Sequence, residues 1–189
     1  MESEKKTIRL ESEYQLRIYA LPLRQKIIRA MHVIGKPVTA KQIADRLLIS
    51  PSSARHHLLK LQEIGLVEHD HYESINGIKA DYLRISDVTV SIGTNIDDEL
   101  IKDRESTTRM MLADIEQRFV QALPRLRESA QAEPDRFTGD LLGGIVHMST
   151  EDAKKLNLMI RDFIDEHNRP DDKNSVPWEY AMLLYEAEC

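Results

Sequence analysis

Residues 39–65, TAKQIADRLLISPSSARHHLLKLQEIG, contain two short amphipathic segments separated by a tight connection. Thr39 and Gln42 have the spacing of a capping box, which predicts that a helix begins there. Ser50 followed by Pro51 is a strong start signal for a second helix, because proline suits the first helical position. Gly65 can take the left-handed conformation that ends many helices. The stretch therefore predicts two helices joined by a turn.

The two helices differ in what their faces carry. We expect the first to bury an apolar side made of Ile43, Ala44, Leu47 and Leu48. The second should turn Ala54, Leu58, Leu61 and His57 inward and Ser52, Arg55, His56 and Leu59 outward. Small hydroxyls followed by an arginine suit a helix that enters the major groove of DNA. A short amphipathic helix with a solvated outer face would show the same pattern.

The flanking sequence favours a winged helix-turn-helix. Residues 21–32 place apolar side chains at helical spacing, and Gly35 and Pro37 stop that helix. After Gly65, residues 66–72 and 80–85 read as strands on either side of Asn76-Gly77, a strong hairpin signal. Three helices followed by a hairpin make up this fold, and the hairpin would bring Lys79 and Arg84 towards a phosphate backbone.

Several of these motifs resemble those of the ArsR-type transcriptional regulators of bacteria and archaea. Residues 22–28 (PLRQKII) look like the family's first helix, and residues 39–47 resemble its second. Residues 50–61 resemble its recognition helix, where Ser-x-His-Leu-x-x-Leu is usual; Arg55 stands in place of the serine, and His57, Leu58 and Leu61 match. The sequence EIGLV at 63–67 resembles the entry to the wing, and the likeness covers about residues 15–88.

The resemblance implies a homodimer that binds a near-palindromic operator in double-stranded DNA and represses or activates transcription. We expect Ser52, Ser53, Arg55 and His56 to approach base edges or nearby phosphates. Lys41, Lys60 and Lys79 are expected to contact the DNA backbone. The alternative is a winged helix that serves as a protein–protein interaction module without a DNA role.

Composition and charge agree with a two-part chain. The 189 residues have a net charge of −6, but residues 1–92 hold 14 basic against 11 acidic side chains and residues 93–189 hold 12 against 21. A basic half followed by an acidic half indicates nucleic-acid binding in the first, although a solvated surface with chance asymmetry would look the same. We therefore expect a winged helix-turn-helix domain at 1–92 and a dimerisation and effector region at 93–189.

Other classes of protein are disfavoured. No apolar run reaches the roughly 18–20 residues of a membrane span, and the N-terminus lacks the apolar core of a signal peptide, so we expect a cytoplasmic protein without membrane contact. The sequence contains no GxSxG or HExxH motif, and its one cysteine is Cys189, so we expect no enzymatic activity.

We also expect no metal site and no cofactor. The cysteine pairs and C-terminal-helix histidines of metal-sensing ArsR-type proteins are missing. His56 and His57 are adjacent on a helix and point about 100° apart. His69 and His71, two apart on a strand, should share one face but lack further ligands.

The second half predicts a long helix over about residues 97–132. Its apolar stripe, which the small preceding domain cannot cover alone, includes the candidate dimer residues Leu112, Ile115, Phe119, Leu123 and Leu126. Packing within the chain is the alternative to dimerisation. Pro124 should kink this helix or break it near Gln121.

A small α/β unit should follow the long helix. Residues 141–148 read as a strand loosened by Gly143 and Gly144, residues 151–167 as a helix, 168–174 as a loop and 178–185 as a last strand. Five methionines of this half could line a pocket for a small-molecule effector, or they could be ordinary core: Met110, Met111, Met148, Met159 and Met182. A protein is the other possible effector. The fold class is mainly α with a small β content.

Overall fold

The computed structural model describes residues 6–93, 96–167 and 175–187. The elements follow in the order β1 (Lys6–Arg9), α1 (Glu13–Ala20), α2 (Pro22–Ile34), α3 (Ala40–Leu47), α4 (Pro51–Glu63), β2 (Val67–Ile75), β3 (Ile78–Ile85), β4 (Val88–Ser91), α5 (Ile101–Ala132) and α6 (Thr150–Glu166). The architecture is α+β, a winged helix-turn-helix followed by a long helix, so this prediction is confirmed. By its contacts the chain divides into two compact units, Met1–Arg109 and Met110–Cys189.

The first four helices enclose the core of the first unit. Capping boxes begin α1 at Ser12 and α3 at Thr39, as the sequence predicts for α3. Gly35 ends α2 with φ 66°, a left-handed conformation that glycine adopts at little cost. One apolar face of each helix is buried, and the buried side chains include Leu16, Ile18, Ile27, Ala30, Met31, Ile43, Ala44, Ala54, Leu58 and Leu61.

The turn between α3 and α4 departs from the sequence analysis at one residue. Leu48 is the C-cap of α3 with φ 56° and ψ 43°, and its side chain is 92% exposed. Its expected place on the buried side of α3 is wrong. The reason is that the helix ends at Leu47, and a left-handed residue after it redirects the chain towards α4 and turns the side chain outward.

The hairpin forms as predicted. β2 pairs antiparallel with β3, and the turn residues Asn76 and Gly77 have φ values of 52° and 79°, the two positive values of a type I′ turn. Val38 and Leu83 exchange two backbone hydrogen bonds of 2.8 Å, which joins the hairpin to the connection between α2 and α3. The wing is therefore attached to the same unit as the helix-turn-helix.

A second, parallel pair of strands was not predicted. β1 pairs with β4, with Lys6 opposite Val88 and Arg9 opposite Ser91. Each strand has four residues, too few to show a periodic pattern, and the partners lie about 80 positions apart in the sequence. Nothing in the charged start of the chain therefore indicates a strand.

The carboxyl ends of β1 and β4 meet at a buried arginine from α5. Arg104 is 2% exposed, and its Nη1 donates to the carbonyl oxygens of Leu10, at 2.8 Å, and of Ile92. Its Nη2 donates to Asp98 at 3.1 Å, in the turn before α5. A Cβ on Gly93, whose φ is 70°, would come within 2.9 Å of Nη1. We call Arg104, Leu10, Ile92, Gly93 and Asp98 the arginine joint.

The long helix runs unbroken from Ile101 to Ala132 and contains Pro124. The expected break near Gln121 does not occur, because the residues on both sides of Pro124 remain helical. Proline has no N–H, so the helix loses one backbone hydrogen bond there. The helix also begins four residues later than expected. Asp98 lies before it and accepts a hydrogen bond from the backbone N–H of Leu100 at 2.9 Å.

The predicted α/β unit at the C-terminus is correct only in its helix. α6 begins after Ser149, whose side chain accepts from the N–H of Asp152, and it agrees with the expected helix. Residues 141–148 and 178–185 are not strands in the described part of the chain, because no neighbouring strand pairs with them. Of the five candidate methionines, Met110, Met111 and Met182 are half-buried, and Met148 and Met159 are exposed. The predicted loop at 168–174 lies outside the described residues.

Replacing Arg104 by methionine should destabilise the first unit by about 2–4 kcal/mol. The substitution leaves two backbone carbonyls and the Asp98 carboxylate without their donor, and a buried polar group without a partner is costly. Urea denaturation measures the change. Arg109→Met, on an exposed arginine of the same helix whose ion pair with Glu105 spans 3.7 Å, should change stability by less than about 1 kcal/mol. Equal effects of the two substitutions would contradict the importance of the joint.

Candidate nucleic-acid interface

The first turn of α4 is built by three serines and a proline. Ser50 is the N-cap, and its hydroxyl accepts a hydrogen bond from the N–H of Ser53 at 3.1 Å. Pro51 takes the first helical position, and the hydroxyl of Ser52 lies 3.0 Å from that of Ser50. Ser52 is exposed and Ser53 is half-buried. Short side chains therefore surround the amino end of the helix, where an approaching surface would meet little bulk.

Burial fixes how α4 is rotated about its axis. Ala54, Leu58 and Leu61 are each 0% exposed, so the inner face is the one expected from the sequence. Arg55 and His56 are exposed on the opposite side, and Leu59 is 49% exposed beside them. Rotation that brought these residues inward would expose three fully buried apolar side chains, each worth roughly 1–3 kcal/mol of burial.

The polar groups of Arg55 and His56 have no hydrogen-bond or ion-pair partner among the described residues. The only ring contact of His56 in this part of the chain is with His57, at a centroid distance of 5.4 Å. Both side chains can therefore meet an external ligand without first breaking a contact within the protein.

Lys60 lies on the same helix but is held by its neighbours. Its Nζ is 2.9 Å from a carboxylate oxygen of Glu63 and donates to the hydroxyl of Tyr14, also at 2.9 Å. The hydroxyl of Tyr14 in turn donates to Glu63. The hydrogen bonds to Tyr14 and Glu63 raise the pKa of Lys60, and those from Tyr14 and Lys60 lower the pKa of Glu63. Lys60 therefore stays charged, with an acidic group beside it.

The remaining predicted cations are also engaged. Lys41 forms an ion pair of 2.8 Å with Asp45, and Nζ of Lys79 lies 3.6 Å from the ring centroid of Tyr72. Arg84 forms ion pairs with Glu68, at 2.8 Å, and Asp70, at 3.4 Å, so its positive charge is balanced by carboxylates of β2. These pairs are exposed or half-exposed, where ion pairs contribute about 0–1 kcal/mol and exchange partners readily.

His57 lies between the two faces of α4. It is half-buried, and its Nδ1 has no hydrogen-bond partner among the described residues. Burial lowers the pKa of His57, and Arg24 and His56 lower it further. Arg24 is held next to it by hydrogen bonds from its guanidinium to the carbonyls of Arg17 and Ile18. His57 is therefore a neutral spacer under the exposed face.

The two wing histidines do not share a face, contrary to the sequence analysis. A bulge between them leaves Asp70 without a cross-strand partner, so His69 lies opposite Leu83 and His71 opposite Tyr82. Adjacent residues of a strand point to opposite faces. The Nδ1 atom of His69 contacts Asp81 at 2.7 Å, and that of His71 contacts Asp70 at 2.6 Å. Within residues 6–93, 96–167 and 175–187, no three His, Cys, Asp or Glu side chains form a cluster that could hold a metal ion.

The contribution of α1 to this surface was not predicted from the sequence. Tyr14, from α1, is the group that links Lys60 and Glu63, and α1 itself was not predicted. A signal was present, because Ser12 and Gln15 have the capping-box spacing and apolar residues follow them. The helix has only eight residues, which is too short for a clear period.

Comparison with known protein families identifies residues 10–70 as a helix-turn-helix domain. The match covers α1 to α4 and the start of β2, about a third of the chain. A search of curated proteins found no match. None of the described helices is both long and apolar enough to cross a membrane. The helix-turn-helix domain indicates a DNA-binding regulator.

The protein should lose stability as the pH falls through about 6.5, the usual pKa of histidine. In that range the unfolded chain binds a proton at residue 57 that the folded chain does not, so acid favours unfolding until the folded His57 is also protonated. Urea denaturation at pH 7.5 and 5.5 measures the loss. His57→Gln should reduce it, because glutamine does not titrate. An undiminished loss in the variant would rule out His57 as its source.

Proposed function

We propose that the chain is a sequence-specific transcription regulator that acts in the cytoplasm as a homodimer and inserts α4 into the major groove of DNA. The observation that carries the proposal is the outer face of α4, where Arg55 and His56 are exposed and unengaged on a helix whose inner face is fully buried. The site binds rather than catalyses. The resemblance to ArsR-type regulators supports the assignment, although this chain does not have the metal-sensing motifs of that family.

Base recognition falls to the first two turns of α4 in this proposal. Arg55 can donate two parallel hydrogen bonds to the O6 and N7 atoms of guanine. Ser52 and Ser53 can donate to or accept from bases or phosphates, and their small size lets the helix end come close. His56 adds a ring nitrogen one position further along. Sequence preference would therefore depend mainly on Arg55.

Backbone contacts fall to Lys41, Lys60 and Lys79. Each has a partner within the chain, so a DNA phosphate must share the ammonium group with that partner or replace it. Such exchange is cheap for exposed pairs. We expect these lysines to add affinity that depends on salt and not on sequence.

A protein-binding winged helix without a DNA role is the alternative, and the match to a helix-turn-helix domain does not favour it. A protein partner would have to cover the exposed side chains of Arg55 and His56.

The dimer is proposed to form along α5. Its candidate residues follow one another at three- and four-residue spacing, and all are half-exposed in the single chain: Leu112, Ile115, Phe119, Leu123 and Leu126. No described residue beyond Arg109 is buried, so the apolar stripe of α5 is only partly covered within the single chain. Pairing with a second copy would bury it and would supply two recognition helices for half-sites about 34–36 Å apart.

The proposed DNA-binding domain ends at residue 92, and the proposed dimerisation and effector region begins at residue 93. Effector binding is assigned to residues 93–189. A small molecule or a protein that acted there would change DNA binding through the dimer. The exposed apolar side chains of this half are compatible with either kind of effector.

Arg55→Ala should weaken binding to a specific site by about 1–3 kcal/mol, or roughly 5- to 150-fold. Alanine keeps α4 helical and removes only the guanidinium. Fluorescence anisotropy on a duplex selected from random sequence by the protein itself provides the measurement. Arg109→Ala, on an exposed arginine of α5, is the control and should bind as the wild type does. An equal loss on random DNA would reduce Arg55 to a phosphate contact.

Ile115→Asp should convert the dimer into a monomer and weaken operator binding, because a carboxylate would lie within the apolar stripe. Gln117→Asp is the matched control, since residue 117 is exposed two positions away on the same helix. Sedimentation velocity gives the molecular mass of each variant. A wild-type protein that is monomeric at micromolar concentration would refute the proposed dimer.

A further inference from the structure

A cavity of about 320 Å³ lies beside the arginine joint. Its lining includes Arg9 and Glu11, at the end of β1 and just after it, and Ser91, the last residue of β4. Ile96 and Arg104 line it as well, and all of these residues belong to the first unit. Sites for small molecules usually have about 300–1,000 Å³, so this cavity has room for a small ligand.

Arg104 brings to the cavity donors that its own chain does not use. A guanidinium group has five N–H donors. Three of them form the hydrogen bonds of the arginine joint, and no described residue accepts from Nε or from the second N–H of Nη2. The side chain is 2% exposed, and a buried donor without a partner is costly. An acceptor group bound in the cavity would satisfy what the chain leaves unpaired.

The exposed residues of the lining have unused polar groups too. The side chains of Arg9 and Glu11 are exposed and form no hydrogen bond or ion pair with a described residue. They flank Leu10, which is 1% exposed, so both point away from the core. The hydroxyl of Ser91 is likewise without a partner in the described part of the chain. The cavity therefore offers donors from two guanidinium groups and acceptors from one carboxylate.

The balance of charge decides which class of ligand fits. Arg9 and Arg104 are positive, Glu11 is negative, and the Asp98 carboxylate is hydrogen-bonded to Arg104 at 3.1 Å. Two positive and two negative groups sum to zero, so a ligand with a net charge would leave one charge beside a buried group uncompensated. A zwitterion avoids this, because its two charges can each meet the opposite charge of the lining.

We propose that this cavity is a binding site for a small zwitterion of the amino-acid class. The carboxylate of the ligand accepts hydrogen bonds from Arg9 and Arg104, and its ammonium group donates to Glu11. The hydroxyl of Ser91 can donate to the same carboxylate, and Ile96 supplies the apolar contact for a short aliphatic side chain. Hydrogen bonds between ionised groups are about twice as strong as those between neutral ones.

The position of the cavity gives such a ligand a way to affect regulation. Arg9, Glu11 and Ser91 belong to the proposed DNA-binding domain, whereas Ile96 and Arg104 belong to the proposed effector region. A molecule that bonds to both would strengthen the connection between the end of β4 and the first turn of α5. This role rests on the proposed function, because it requires a protein that binds DNA, whereas the binding site itself does not depend on it.

Ligand-observed NMR of the full-length protein with each standard L-amino acid, up to millimolar concentration, tests the inference. We expect at least one to bind, and calorimetry then gives its Kd. The corresponding acid without the amino group and the amine without the carboxylate should each bind at least about tenfold more weakly.

Two substitutions in the lining test where the amino acid binds. Arg9→Met and Glu11→Gln should each weaken its binding at least about tenfold, because each removes one charged partner. Arg17→Met and Glu13→Gln are the matched controls and should leave the Kd unchanged. Both control residues are exposed on α1, where they pair with each other at 2.6 Å, outside the cavity lining.

The other outcomes separate the site from the proposed function. Absence of binding by every amino acid would overturn the inference and leave DNA binding untouched. A deaminated acid that binds as tightly as the amino acid, or a Kd that neither lining substitution changes, would also overturn it. Binding with the expected pattern in a protein that has no affinity for DNA would support the site and contradict the proposed function.

Discussion

The buried guanidinium of Arg104 is the interaction on which the arrangement of the first unit most depends. A cation inside a protein must have its hydrogen bonds satisfied, so the carbonyls of Leu10 and Ile92 and the carboxylate of Asp98 have to converge on it. That requirement joins the end of β1, the end of β4 and the turn before α5. Gly93 leaves the space that the guanidinium occupies. The first turn of α5 is therefore attached to the ends of both strands.

The second constraint is the rotation of α4, and it determines what the protein can present to DNA. Complete burial of Ala54, Leu58 and Leu61 leaves Arg55 and His56 outside. Two of the lysines proposed to contact DNA have acidic partners, with Asp45 beside Lys41 and Glu63 beside Lys60. The wing is similarly balanced, because Arg84 contacts carboxylates on β2. Such a surface attracts DNA weakly in general, so the proposed binding would depend on the fit at Arg55.

Local signals in the sequence were sufficient for the helix-turn-helix and the hairpin. Capping at Thr39 and Ser50 and the Asn76-Gly77 turn are decided within a few residues, and the structure has them as expected. Features that need distant partners were missed: the β1–β4 pair, the arginine joint and the contact of Tyr14 with Lys60. The burial of Arg104 could not be predicted, because nothing in the sequence shows that the carbonyls of Leu10 and Ile92 lie beside it.

The two strands predicted near the C-terminus, at 141–148 and 178–185, do not form, because a local pattern alone does not make a strand. Residues 141–148 have a strand pattern, yet a strand exists only where a neighbour is available, and the described residues supply none. The left-handed Leu48 and the bulge at Asp70 were likewise invisible to a pattern of apolar spacing, since each changes the direction of the chain by one residue. The residues proposed to contact DNA were chosen from the sequence, and the structure adds which of them are already engaged.

The most direct test of the account is the affinity of the protein for the DNA upstream of its own gene. Fluorescence anisotropy would compare that duplex with a scrambled one of equal length over a salt series from about 50 to 200 mM, where phosphate contacts weaken strongly. We expect tighter binding to the native duplex and an affinity that falls steeply as salt rises. Absence of binding to either duplex, even at the lowest salt, would contradict it.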